Sequence, residues 1–208
     1  MAACPAGSSR VADNGAITEE GMNVGADVVD LIMSDHREVE RLFDILKNRP
    51  DDRLNALPVM ATLLVAHSRA EEAEVYPVAR DEADIADDVE HSQEEHLAAE
   101  QVLKRLIDAD PESSEFESLL QEVVDEVTHH VEEEESSVLP KMKERLSDSR
   151  REELGRAFAK SRAEHLGQMP GQLTKQELTQ QAQNVGMDGA QSMSKDKLHD
   201  ELQKKAST

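Results

Sequence analysis

Residues 67–77 read HSRAEEAEVYP and residues 130–140 read HVEEEESSVLP. His67, Glu71, Glu72 and Pro77 stand at the same offsets as His130, Glu134, Glu135 and Pro140. Each phrase follows a segment with a histidine of its own, His36 before the first and His96 before the second. Residues four apart on a helix lie on one face, one turn from each other. His67 with Glu71, and His130 with Glu134, are therefore pairs that point the same way. Two histidine-plus-carboxylate sets on one plan read as two halves of a metal site.

The neighbouring apolar residues show where those pairs point. Val29, Ile32, Met33, Val39 and Phe43 share a helical face with His36. Met60, Leu64 and Val75 go with His67 and Glu71, and Val89, Ala99 and Leu103 flank His96. Leu120, Val127 and Val138 flank His130 and Glu134. Spacings of three, four and seven define core-facing seams, so the ionisable pairs fall inside a bundle between aliphatic layers. A buried carboxylate without a partner is too costly to keep charged. A metal ion offsets the charge and takes imidazole nitrogen and carboxylate oxygen together. Such a mixed set with bridging carboxylates suits iron or manganese, and zinc is the third choice. One His-x-x-x-Glu in an acidic chain is more often a solvated face than a ligand pair. Two in register, each on an apolar seam and each followed by a proline, point to ligation by His36, His67, Glu71, His96, His130 and Glu134.

Turn and cap signals divide the chain. Residues 1–25 are Gly-, Ala-, Ser- and Asn-rich and read as a disordered arm. Four helices follow within 26–147: from about Asp27 to Asn48, Arg53 to Tyr76 before Pro77, Ile85 to Ala109, and Ser113 or Ser114 to Leu139 before Pro140. Short connections between long helices predict an all-α, up-down-up-down four-helix bundle. An additional helix from Ser149 to His165 and a linker at Met169-Pro170-Gly171 fill 148–170. Residues 171–208 form a small helical module.

Composition agrees. The 208 residues are 38% hydrophobic but only 2% aromatic, so Leu, Val, Ile, Met and Ala must build the core, which favours helices. A net charge of −22 disfavours general attraction to nucleic acid or anionic membrane. The single cysteine, Cys4, excludes an internal disulfide and a thiolate cluster. No run approaches the roughly 18 apolar residues of a membrane span, and no signal peptide is visible. A cytoplasmic protein without a membrane partner is expected.

With these residues in view, the chain resembles the hemerythrin-like (HHE cation-binding) family, whose sequences carry H…HxxxE…H…HxxxE across a four-helix bundle. The words "DHREVERLF" around His36 and "EEHLAAEQVL" around His96 match as well, over about residues 27–145. The resemblance implies a non-heme di-iron centre, oxo- or hydroxo-bridged. His36 and His67 would serve one iron, His96 and His130 the other, with Glu71 and Glu134 bridging. It implies binding of, or reaction with, dioxygen, peroxide or nitric oxide. The oxygen carriers have a fifth histidine where this chain has Glu100, and their fourth-helix carboxylate falls at the place of Glu135. Glu100, and Glu40 one turn after His36, are candidate carboxylate ligands, which would favour redox turnover over stable oxygen carriage.

Other residues are weighed by register. His130 is preferred to its neighbour His129, because only His130 sets Pro140 where Pro77 stands after His67. His91 lies about 140° around the helix from His96 and is a candidate ligand or hydrogen-bonding neighbour. Tyr76 is a candidate hydrogen-bonding or redox neighbour, or a packed aromatic near a helix end. Glu72 and Glu135 read as solvated or as supporting groups, and His165 and His199 as surface residues.

The C-terminal module balances its charge, with Lys175, Lys195, Lys197, Lys204 and Lys205 against Glu177, Asp188, Asp196, Asp200 and Glu201. Thr174 and Ser194 look like N-caps, and Gly186 and Gly189 like the hook between two helices. The segment resembles SAP and Rho N-terminal modules, which implies a nucleic-acid or protein partner. Two further functions stay open: a redox, oxygen or iron sensor that couples the bundle to this module, and an iron-handling protein.

Overall fold

The computed structural model describes residues 26–206, so the expected N-terminal arm lies outside the described residues. Every regular element described is helical. Helix α1 (Val28–Asn48) starts at Asp27, whose side chain accepts from the Val29 amide. A 3-10 turn, Pro50–Asp52, leads into α2 (Arg53–Ala70). Helix α4 (Ala86–Asp108) and helix α5 (Ser114–Glu133) make the second pair. Ser113 caps α5 through the Phe116 amide, as its sequence suggests.

The two prolines do not end their helices. Residues Glu71–Val75 form a π turn that continues α2 into α3 (Tyr76–Glu82), and Glu134–Val138 continues α5 into α6 (Leu139–Arg145). The ends expected at Tyr76 and Leu139 are thus corrected to Glu82 and Arg145. A proline ring clashes with the carbonyl four residues back and has no N–H to give it. In the widened turn the last amide before each proline bonds five residues back, Tyr76 to Glu71 and Leu139 to Glu134. The rod therefore passes through the proline with one turn loosened rather than broken.

Two aliphatic layers fill the bundle. One runs from Val39, Phe43 and Leu46 to Leu103, Phe116 and Val123, and the other joins Val28, Ile32, Tyr76, Ile85, Leu139 and Met142. The predicted ionisable layer lies between them. Of the residues expected on the core face of α1, Met33 is 37% exposed and belongs to the surface.

The fifth helix, α7 (Asp148–His165), is more than an appendage, since it packs along α1 and α2. Gly155 allows that approach: a Cβ there would sit 2.1 Å from the Ala26 carbonyl oxygen. Arg151 ties α7 to Asp27 at 2.7 Å, and Phe158 is fully buried in the second layer. Helices α8 (Lys175–Asn184) and α9 (Lys195–Lys205) form the C-terminal hairpin, with Thr174 and Ser194 as N-caps. Gly186 and Gly189 adopt positive φ between them, a conformation that costs glycine little. The hairpin core of Leu178, Ala182, Leu198 and Leu202 takes in Leu97 of α4, which docks the module on the bundle. Among the described residues no helix is long and apolar enough to cross a membrane.

Candidate metal centre

The structure brings His36, His67, Glu71, His96, His130 and Glu134 together, none more than 6% exposed. His36 comes from the middle of α1 and His96 from the middle of α4. His67 and His130 sit in the last turn of α2 and α5, one turn before each π segment opens at Glu71 or Glu134. His36 Nε2 is 3.2 Å from Glu134 Oε2, and His67 Nε2 is 3.2 Å from Glu71 Oε2. The same Glu71 oxygen is 3.4 Å from His96 Nε2, so this carboxylate spans both halves. His96 Nε2 and His130 Nε2 are 3.0 Å apart. Adjacent donors about 2.1 Å from an ion lie about 3 Å apart in octahedral geometry and about 3.4 Å apart in tetrahedral geometry.

Behind the cluster, each imidazole meets a carboxylate through its other nitrogen. His36 Nδ1 is 2.9 Å from Glu135, His67 Nδ1 3.3 Å from Asp35, and His130 Nδ1 2.9 Å from Glu95. His96 Nδ1 faces Glu72 more loosely at 3.4 Å. An ionised carboxylate only accepts, so the proton belongs on Nδ1 and the Nε2 lone pair is directed inward. This outward carboxylate behind an inward imidazole is the usual support of a metal-binding histidine.

Six of the inward atoms lack partners of their own. His36 Nε2, His67 Nε2 and all four oxygens of Glu71 and Glu134 are buried without a hydrogen bond. Such groups are costly in a protein interior unless an ion or water satisfies them, and this donor set fits metal ions that take nitrogen and oxygen. With protein groups alone, burial opposes charge on His67, yet Glu71 and Asp35 outweigh it and raise its pKa to about 10. Burial likewise opposes charge on Glu134, and His36, His130 and His67 bring its pKa down to about 2. A cavity of about 20 Å³ opens between the four imidazoles and Val39, Leu64, Ala99, Val127 and Val131. That is room for a molecule the size of water.

Tyr76 belongs at the centre: its hydroxyl is 3.1 Å from His96 Nε2. Burial first, and then Glu71 and Glu134, raise its pKa well above the usual 10, so it stays a neutral donor. The remaining candidates lie outside the cluster. Glu40 is on the surface, paired with Arg37 at 2.7 Å. Glu100 is claimed by Arg69 at 2.5 and 2.6 Å and by the Gly171 amide at 2.7 Å. His91 and His129 are exposed on the outer face of α4 and α5. His165 is only 16% exposed and faces Glu177 at 3.3 Å, so it is not the surface residue expected, whereas His199 is.

Sequence reasoning passed over Asp35 and Glu95 and left Glu72 as a solvated or supporting group. Glu72 is buried, 2.8 Å from Arg69, 2.9 Å from Gln93 and 3.0 Å from Gln181. A signal for the missed carboxylates is present: Asp35 and Glu95 each directly precede the lone histidine of their half, and Glu72 and Glu135 each follow the inward-facing Glu. Phe158 of α7 meets the His67 ring edge-on at 5.8 Å, and Arg162 pairs with Asp35. The fifth helix thus closes the side of the centre.

The model of the Hemerythrin HHE cation binding domain matches residues 27–142. A curated protein named DNA nickase, from Nostoc sp. (strain PCC 7120 / SAG 25.82 / UTEX 2576), is 26% identical over 161 residues. The alignment covers 76% of this chain and 46% of that protein, so the chain spans less than half of its length. No solved structure matches. Neither match bears out the likeness of residues 171–208 to SAP and Rho modules.

Proposed function

The chain belongs to the hemerythrin HHE cation binding domain family, and from that premise we propose that its interior cluster is a non-heme di-iron centre that binds or reacts with dioxygen, peroxide or nitric oxide. His36 and His67 would hold one iron and His96 and His130 the other, with Glu71 and Glu134 supplying the carboxylates. The observation that carries this reading is the convergence of inward Nε2 atoms and unpartnered carboxylate oxygens in a sealed layer. Bound iron supplies Lewis acidity and redox change.

The chain's own residues do the rest. Asp35, Glu95 and Glu135 keep the Nδ1 protons and fix the rings. The cavity of about 20 Å³ admits a small molecule and, with its valine and leucine walls, excludes bulk water. Tyr76 can donate one hydrogen bond at that end of the cluster. Because Glu100 and Glu40 are held elsewhere, Glu71 and Glu134 are the carboxylates that would serve the metal.

Metal analysis with an optical spectrum tests the reading. Two irons per chain and near-ultraviolet absorption are expected, both lost in Glu71→Ala. No transition metal after purification and reconstitution would overturn it.

One observation favours a sensor as the second reading. The C-terminal hairpin is hydrogen-bonded to Glu72, which faces His96, so the centre and the module share a residue. The relative named DNA nickase makes nucleic acid a candidate partner of this chain. The charge of −22 opposes a general electrostatic attraction to it.

A further inference from the structure

His91 and Glu95 lie four residues apart on α4, and His129 and Glu133 four apart on α5. The two pairs meet across the face where these helices pack, on the outside of the bundle. One donor atom from each residue falls within 4.8 Å of all the others. His91 Nε2 is 3.0 Å from Glu133 and 3.6 Å from Glu95, and His129 Nε2 is 3.3 Å from Glu133 and 3.6 Å from Glu95. Each imidazole therefore faces both carboxylates and not only the one on its own helix.

Exposed His and Glu side chains often gather on an acidic surface without purpose. Glu95 sets this group apart. Its side chain is only 9% exposed, and its Oε2 is held by His130 Nδ1 at 2.9 Å. Its Oε1 is buried, accepts no hydrogen bond and is directed at the two outer imidazoles. Anchored through its other oxygen, this carboxylate cannot turn to water to satisfy itself. The outer side is open, with His91 and His129 more than half exposed and a surface groove of about 310 Å³ running past His91 and Glu133.

We propose that His91, Glu95, His129 and Glu133 form a second, solvent-accessible site for one divalent cation of the zinc type, separate from the interior cluster. Two imidazoles and two carboxylates are a donor set that zinc accepts in tetrahedral geometry. Donors about 2.1 Å from a tetrahedral ion lie about 3.4 Å from one another, and the four histidine–carboxylate separations fall on either side of that value. The ion would satisfy Glu95 Oε1 and offset part of the chain's net charge of −22. Because Glu95 also holds His130, the outer ion would stand one carboxylate away from the interior cluster.

The test uses the full chain as purified, with its metal content measured first. The chain is dialysed against zinc at neutral pH and the bound metals are counted again, alongside His91→Ala, His129→Ala and the double variant. Both histidines are exposed, so the variants should keep their helix content, which circular dichroism checks. Unaltered protein should gain one zinc without losing interior metal. Each single variant should bind that zinc about tenfold more weakly or worse, as ligand loss costs no less than loss of a supporting partner. The double variant should not bind it, with interior content unchanged. Cobalt in place of zinc should give the visible bands of a tetrahedral ion only where both histidines remain. Zinc uptake that is the same in the double variant, or that merely displaces interior metal, would overturn the proposal.

Discussion

Every central imidazole is backed by a carboxylate, and the assignments cross the repeat. Asp35, before His36, serves His67, while Glu95, before His96, serves His130. Glu135 of the second half serves His36, and Glu72 of the first faces His96. Glu72 carries the most. It pairs with buried Arg69, accepts from Gln93 and Gln181, and its backbone carbonyl accepts from Asn184. Burial opposes its charge, but Arg69 and then His96 bring its pKa down to about 2. Without Glu72, Arg69 keeps only Glu100, and the buried Gln93 and Gln181 amides lose their acceptor, at about 1–3 kcal/mol for each unsatisfied group. Glu72→Ala should lose that much stability in denaturant unfolding. Glu38→Ala, which removes an exposed partner of Arg41, should lose less than about 1 kcal/mol. Equal losses would show that Glu72 is not the hub its contacts describe.

At the scale of elements, the π turns explain what the repeated proline is for. In an unbroken α-helix Tyr76, five residues after Glu71, would lie about 140° away from it. The π turn winds less per residue, which brings Tyr76 round toward the face of Glu71, and its hydroxyl reaches His96. Here the sequence misleads: Pro77 and Pro140 read as stops because proline usually is one, and nothing in the local composition announces a widened turn. The caps are the opposite case, since a cap is a local bond between residues three apart. Thr174 and Glu177 form a full capping box at the start of α8. Burial alone would raise the pKa of Glu177, but its bonds to Thr174, with Arg69 and His165 nearby, lower it from the ordinary 4.5. A depressed carboxyl pKa gives stability that is present above 4.5 and is lost as pH falls through the lower folded value. Thr174→Ala should cost about 1 kcal/mol. Glu177→Gln should flatten the acid limb of hairpin stability below pH 4.5, followed by hydrogen exchange in α8. An unchanged acid limb would remove the box from that account.

For the whole molecule, the legible part was the part that repeats. Four seams, the six inward residues and the bundle follow from period and register, because each seam reports its own burial. The cover did not follow. Helix α7 carries its apolar contact on few residues, and Phe158 against His67 or Arg162 against Asp35 joins positions whose sequence separation hides them. Docking of the hairpin is equally non-local: Gln181 and Asn184 are polar, yet both are buried on Glu72 and Gln93. Under the sensor reading proposed above, that polar contact would be the physical basis for coupling. When His96 is committed to a metal through Nε2, its Nδ1–H becomes the stronger donor toward Glu72, and Glu72 in turn holds the hairpin. Metal loading should therefore slow cleavage by a low-specificity protease between residues 166 and 173, where the chain passes from α7 to α8. The double variant Gln181→Ala, Asn184→Ala leaves buried partners unsatisfied, at about 1–3 kcal/mol for each. It should be cut faster and at a rate that no longer depends on metal. Cleavage of the unaltered chain at one rate with and without iron would separate the hairpin from the centre and leave it a packing module.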